Sequence, residues 1–179
     1  FVGDLDLDTI RPLVERYLGG LPSTNRIENW RDVGVRAPDG VREETVYKGL
    51  EPQSQTVITF TGPFDYDDQV QRSAIRALAI AVENQLLEEV REELGGTYSI
   101  GVGPGFSWRP EERYQMTISF GSDPERADEL VERIFEGLQS FQEFGPTEEQ
   151  VADARETLLR QFETDFQENR TWLSQLVND

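Results

Sequence analysis

Arg91 and Tyr98 stand seven positions apart in the run VREELGGTYS, residues 90–99. A guanidinium presents a planar fork of donors, and a phenol presents one more. The spacing of Leu86, Val90 and Leu94 reads as the last turns of an amphipathic helix. Gly95 and Gly96 follow directly, a helix stop that turns the backbone at no Cβ cost. Thr97, Tyr98 and Ser99 then open a strand. The arginine is thereby expected on the final turns of a helix and the tyrosine at the root of a strand. Side by side, the two could hold the carbonyls of an extended peptide. On spacing alone a second reading stands: one more solvated helix charge and an ordinary strand aromatic.

Other chemistry is bounded by what is missing. The 179 residues contain no histidine and no cysteine. Zinc motifs of the H-x-x-E-H or H-E-x-x-H kind need two imidazoles and a glutamate on one helix. A Ser/His/Asp triad needs one imidazole. Thiol chemistry and disulfides are excluded as well. Glu88, Glu89, Glu92 and Glu93 cluster on the expected central helix, and such charge runs are ordinarily solvated faces. Gly101, Gly103 and Gly105 resemble a phosphate loop but run from a strand into a hairpin, not into a helix N-terminus. Asp4, Asp6 and Asp8 alternate as in a calcium loop, yet helix capping accounts for them.

Acidic residues number 35 against 17 basic ones, a net charge of −18. No basic footprint is available for phosphate neutralisation, so nucleic acid is disfavoured as a partner. Anionic membrane surfaces are disfavoured for the same reason. No apolar run is long enough to span a bilayer. The surplus acid fits a strongly solvated surface or a cavity that draws in basic peptides.

The elements that must position Arg91 and Tyr98 are read in chain order. Ile10, Leu13, Val14, Tyr17, Leu18 and Leu21 make a helical stripe behind the capping residues Asp4 and Asp6, with Pro12 in its first turns. Residues 23–42 form a connecting loop anchored by Trp30. Glu43–Lys48 reads as a strand, and Gln55–Gly62 as a half-buried one. The central helix starts after Asp65 or Asp67 and turns Ile75, Leu78, Ala79, Val82, Leu86, Val90 and Leu94 inward. Two strands follow, Tyr98–Val102 and Arg113–Phe120, joined by a long loop through Gly103, Pro104, Gly105, Trp108 and Pro110. Asp123-Pro124 opens a helix carrying Leu130, Ile134, Leu138 and Phe141. Gly145-Pro146 ends it, and Thr147–Gln150 is a capping box for the last long helix, through Leu158 and Phe162. Another amphipathic segment begins at Trp172. The helix faces are expected to cover the strands that hold Ile58, Phe60 and Ile118. This order is an α+β fold, an antiparallel-rich sheet with helices packed mainly on one face. Residues 1–179 are expected to form a single domain, a fragment of a longer polypeptide.

The run VREELGGTYS resembles the signature in the C-terminal halves of the pitrilysin/insulinase family of zinc metallopeptidases. VGDLDLDTIRPLVERYLGGLP, residues 2–22, resembles the opening of the same domain. The resemblance implies a half-domain that binds no zinc and belongs to a multi-domain peptidase. It implies that Arg91 and Tyr98 contact the substrate backbone and help stabilise the tetrahedral intermediate. It places the zinc in a partner domain, in the same chain or a partner subunit, with a peptide as substrate. An inactive lobe that only stabilises the clamshell, or a larger assembly, is the alternative that the family also allows. Either way, dialysed protein should carry no stoichiometric zinc by elemental analysis. It should not cleave unfolded peptides by itself. Tightly bound zinc, or chelator-sensitive cleavage by the pure chain, would overturn this expectation.

Overall fold

The computed structural model describes residues 1–50, 52–94 and 99–178, with side chains described except at 90–94 and 178. The chain forms two compact units. One is Phe1–Val33 with Leu159–Asp179, and the other is Gly34–Leu158.

The first unit holds α1, Leu7–Tyr17. Asp6 caps it, its carboxylate accepting from the Thr9 amide at 2.7 Å, as the sequence suggests. Pro12 falls in the second turn, inside the helix, where its missing amide leaves the carbonyl of Asp8 without the usual partner. None of the α1 residues is buried. Trp30, the expected loop anchor, is 50% exposed.

In the second unit the strands β1 (Ser54–Pro63), β2 (Ile100–Ser107) and β3 (Arg113–Ser122) form an antiparallel sheet in the order β1-β3-β2. Central β3 sets Ile118 opposite Ile58 and Val102, and Phe120 opposite Thr56 and Ile100. These alternating positions give one apolar face. The other face carries Thr59, Gln115, Thr117 and Ser119, and water reaches it. The apolar face is covered by α2 (Gln69–Leu94), by α3 (Ala127–Phe144) after a short 3₁₀ turn at Pro124–Arg126, and by Ala154 of α4 (Glu148–Asp165). Leu86, Ile118, Phe120, Leu130 and Ile134 are the largest side chains fully withdrawn from water. Gly137 lets α3 approach α2 closely: a Cβ there would lie 3.0 Å from Leu86 Cδ2. The final helix, α5, is Asn169–Asn178 in the first unit, where Trp172 stacks on Phe166 with centroids 5.3 Å apart.

Several expectations change. Residues 43–48 form no strand, and Val46 and Tyr47 are 75% and 93% exposed. Alternation alone does not make a strand where no neighbour supplies a ladder. β2 runs on through Pro104 to Ser107 instead of ending at Val102, so the connection to β3 is short. Proline is tolerated there because β2 is an edge strand. The cap of α2 is Asp68, which accepts from the Gln71 amide at 2.8 Å, while Asp65 closes a turn on Asp67. Leu78 and Phe60 are partly exposed, at 40% and 38%. Thr147 and Gln150 do form the reciprocal box, with bonds of 3.2 and 2.9 Å.

Leu86→Ala should destabilise the second unit by about 2–5 kcal/mol, read from chemical denaturation. A loss below about 0.5 kcal/mol would contradict the burial of this side chain. For Asp6, hydrogen bonds from the Thr9 amide and then from the Thr9 side chain hold the carboxyl below the usual range. A depressed folded value means that the cap is fully present above the unfolded carboxyl value and is lost as pH falls through the folded one. The Thr9 amide resonance should follow Asp6 at unusually low pH; titration in the ordinary carboxyl range would refute the cap.

Candidate functional site

Arg91 lies by its backbone in the last turn of α2. Its side chain lies outside the described residues, and so do Gly95, Gly96, Thr97 and Tyr98. The geometry that would join the arginine to the tyrosine is therefore an expectation from sequence. The structure does describe what flanks it.

On the helical side, Leu86 is 1% exposed against the core. Next to it, Gln85 Nε2 donates to Glu89 Oε1 at 2.8 Å and to the Gly137 carbonyl at 3.5 Å. Gln150 Nε2 donates to Gln85 Oε1 at 3.5 Å. Gln150 thus serves two purposes: its oxygen closes the capping box of α4 and its nitrogen reaches α2. This network ties α2, α3 and the start of α4 together just before Arg91. On the strand side, Ile100 opens β2 buried at 4% exposure. Two residues on, the Val102 amide donates to Glu83 Oε2 of α2 at 3.1 Å. Both arms that carry the motif are fixed by burial and by a helix-borne hydrogen bond.

Among the remaining candidates, the side chains of Glu92 and Glu93 lie outside the described residues. Glu88 is exposed, while Glu89 turns to Gln85 rather than to another acid. Among the described residues, no group of three or more acidic, histidine or cysteine side chains could hold a metal. Gly101, Gly103 and Gly105 lie within β2 and meet no helix N-terminus. A cavity of about 300 Å³ is lined by Thr61, Gly105, Arg113 and Tyr114 at the far end of the sheet from Ile100. Its charges are already joined: Glu111 bridges Arg36 at 2.9 Å and Arg113 at 3.5 Å.

Sequence reasoning passes over three groups. Glu83 sits between Ala79 and Leu86 at the margin of the apolar stripe, and that border position was the available signal. Gln85 and Gln150 carry no signal beyond the capping box. Arg72 and Arg76 are four apart on α2, with Asp68 four positions before Arg72 and no acid three or four positions from Arg76.

Several known proteins and one family resemble this chain. Residues 1–158 match the family described as the peptidase M16 inactive domain. A zinc protease PQQL-like protein of Arabidopsis thaliana is 26% identical over 190 aligned positions, covering 98% of this chain and 20% of that protein. A probable zinc protease PqqL of Haemophilus influenzae is 27% identical over 135 positions, covering 73% of this chain and 14% of that protein. The chain thus spans a fifth or less of these curated relatives. The crystal structure of the periplasmic protease PqqL from Escherichia coli superposes with a TM-score of 0.74 at 21% identity, covering 98% of this chain and 19% of that one. That likeness supports the α+β fold.

Proposed function

The chain belongs to the peptidase M16 inactive domain family, and from that premise we propose that it is the substrate-contacting, non-catalytic lobe of a zinc metalloendopeptidase. In this reading, residues 1–179 are one domain of a longer multi-domain peptidase that hydrolyses peptides in a closed chamber. The zinc and the general-base glutamate come from another domain of the same chain or from a partner subunit. The observation that carries the reading is the conjunction of Arg91 and Tyr98 at the family's spacing with a complete lack of histidine. A lobe without imidazole or thiolate cannot supply the usual zinc ligands. It can still supply hydrogen-bond donors.

The division of labour follows from donor chemistry. Arg91 keeps its charge throughout the accessible pH range and offers a fork to a substrate carbonyl. Tyr98 offers one hydroxyl, suited to the oxygen that gains charge as the peptide carbonyl becomes tetrahedral. In this reading α2 and β2 serve as fixed supports, since donors held in place need no reorganisation as charge develops.

The test requires the enzyme that contains both this lobe and the zinc domain. Tyr98→Phe removes one donor and little volume, so kcat should fall by about 10²–10³-fold with KM nearly unchanged. Arg91→Lys retains the charge and loses the fork, so binding and rate should both weaken. Near-wild-type kinetics for both variants would leave this domain a structural lobe that only supports the clamshell.

A further inference from the structure

Far from Arg91 on α2, two guanidinium groups are held together against aromatic rings. Arg72 lies over Tyr66, 4.2 Å from the ring centroid, and over Phe106 at 5.6 Å. Arg76 lies over the same Phe106 at 5.7 Å. Phe106 in turn packs on Phe64 with centroids 5.0 Å apart, and Phe64 is 7% exposed. Both arginines are partly buried. Arg72 Nη2 donates to the Tyr66 carbonyl, while its Nε is buried without a partner. Arg11, Arg26, Arg36, Arg113, Arg126 and Arg133 each pair with a glutamate. Among the described residues no carboxylate pairs with Arg72 or Arg76, although acids outnumber bases two to one.

This arrangement is costly unless something completes it. Burial, and then the neighbouring Arg72 charge, pull the Arg76 guanidinium below its ordinary range. Ring stacking offsets part of that cost through cation–π attraction. Stacking satisfies only the faces of a guanidinium, however. Its N–H donors lie in the plane and point out from the edge, where a planar oxyanion accepts two at once. Two such edges one helical turn apart make a fork for a carboxylate.

We propose that Arg72 and Arg76 form a receiving site for a side-chain carboxylate of an acidic peptide segment, distant from the Arg91–Tyr98 end of α2. Arg76 and Arg91 are fifteen residues apart on one helix, which is about 22 Å. An extended peptide covers that distance in about seven residues. On the reading of Arg91 and Tyr98 given above, the site therefore holds an acidic side chain about seven residues from the bond being cut.

The experiment is a titration of the full chain, with arginine side chains ¹⁵N-labelled, by a short blocked peptide carrying two adjacent glutamates. Its glutamine counterpart and inorganic phosphate serve as the other probes. The Nε–H resonances of Arg72 and Arg76 should shift saturably with the glutamate peptide. Affinity should fall at least about tenfold for the glutamine peptide and for Arg76→Gln. Arg76→Lys, which keeps the charge and the packing stem, should bind between the two. The proposal is overturned if the glutamine peptide binds equally well or if Arg76→Gln binds as the unaltered chain does. It is equally overturned if phosphate saturates the site and the glutamate peptide does not. Turnover is not measured, so the outcome is independent of whether Tyr98 meets an oxyanion.

Discussion

Leu86 of α2 shares one buried cluster with Ile118 and Phe120 of the central strand and with Leu130 and Ile134 of α3, and these five side chains exclude water almost completely. Much else in the second unit depends on that contact. It sets the height of α2 above the sheet, and hence the reach of Glu83 to the Val102 amide. It also sets the distance from α2 to α3, which Gly137 allows to be short. Burial of this kind is non-directional and large, of the order of 2 kcal/mol for each such side chain. The hydrogen bonds of Gln85, Glu89 and Gln150 add direction to it. Apolar packing holds the layers together, and the polar network selects one register between them.

The parts of the fold legible in sequence are those where local chemistry and tertiary environment agree. Met116, Ile118 and Phe120 alternate because one face of β3 is covered, and alternation is visible in a string of letters. Thr147 and Gln150 satisfy each other within one turn, so their box needs no distant partner. Asp65, Asp67 and Asp68 are all competent caps, and only the path of the chain selects Asp68. Residues 43–48 have a strand's alphabet but no strand beside them. Pro104 reads as a loop until the order of strands shows it on an edge. The candidate site divides the same way. The helix bearing Arg91 is written in its leucines and valines, whereas Arg72 and Arg76 look like solvated charges until Phe106 is folded beneath them.

A chain without imidazole or thiol lacks the usual zinc ligands and the base of a Ser/His/Asp triad, and it keeps donors, charge and shape. Its acidic surplus favours solubility, at some cost to the compact state through self-repulsion. Against such a background an unneutralised pair of arginines is conspicuous. In a domain rich in lysine it would pass as noise. In this one it concentrates positive potential where the surrounding field is negative.

The sheet's two borders are treated differently, and this has a colloidal consequence. On β2, proline and a helix-borne carboxylate occupy the positions where a foreign ladder would start. β1 carries a proline only at its last position, Pro63, and Val57 stands 59% exposed along it. Within the sheet, β1 is the less obstructed border, and a two-fold pairing along one border closes as a pair and not as a fibre. The deterrent to that meeting is the net charge of −18, a long-range barrier whose range shrinks to about 10 Å at 0.1 M salt. Added salt therefore weakens what keeps two copies of this chain apart along that border.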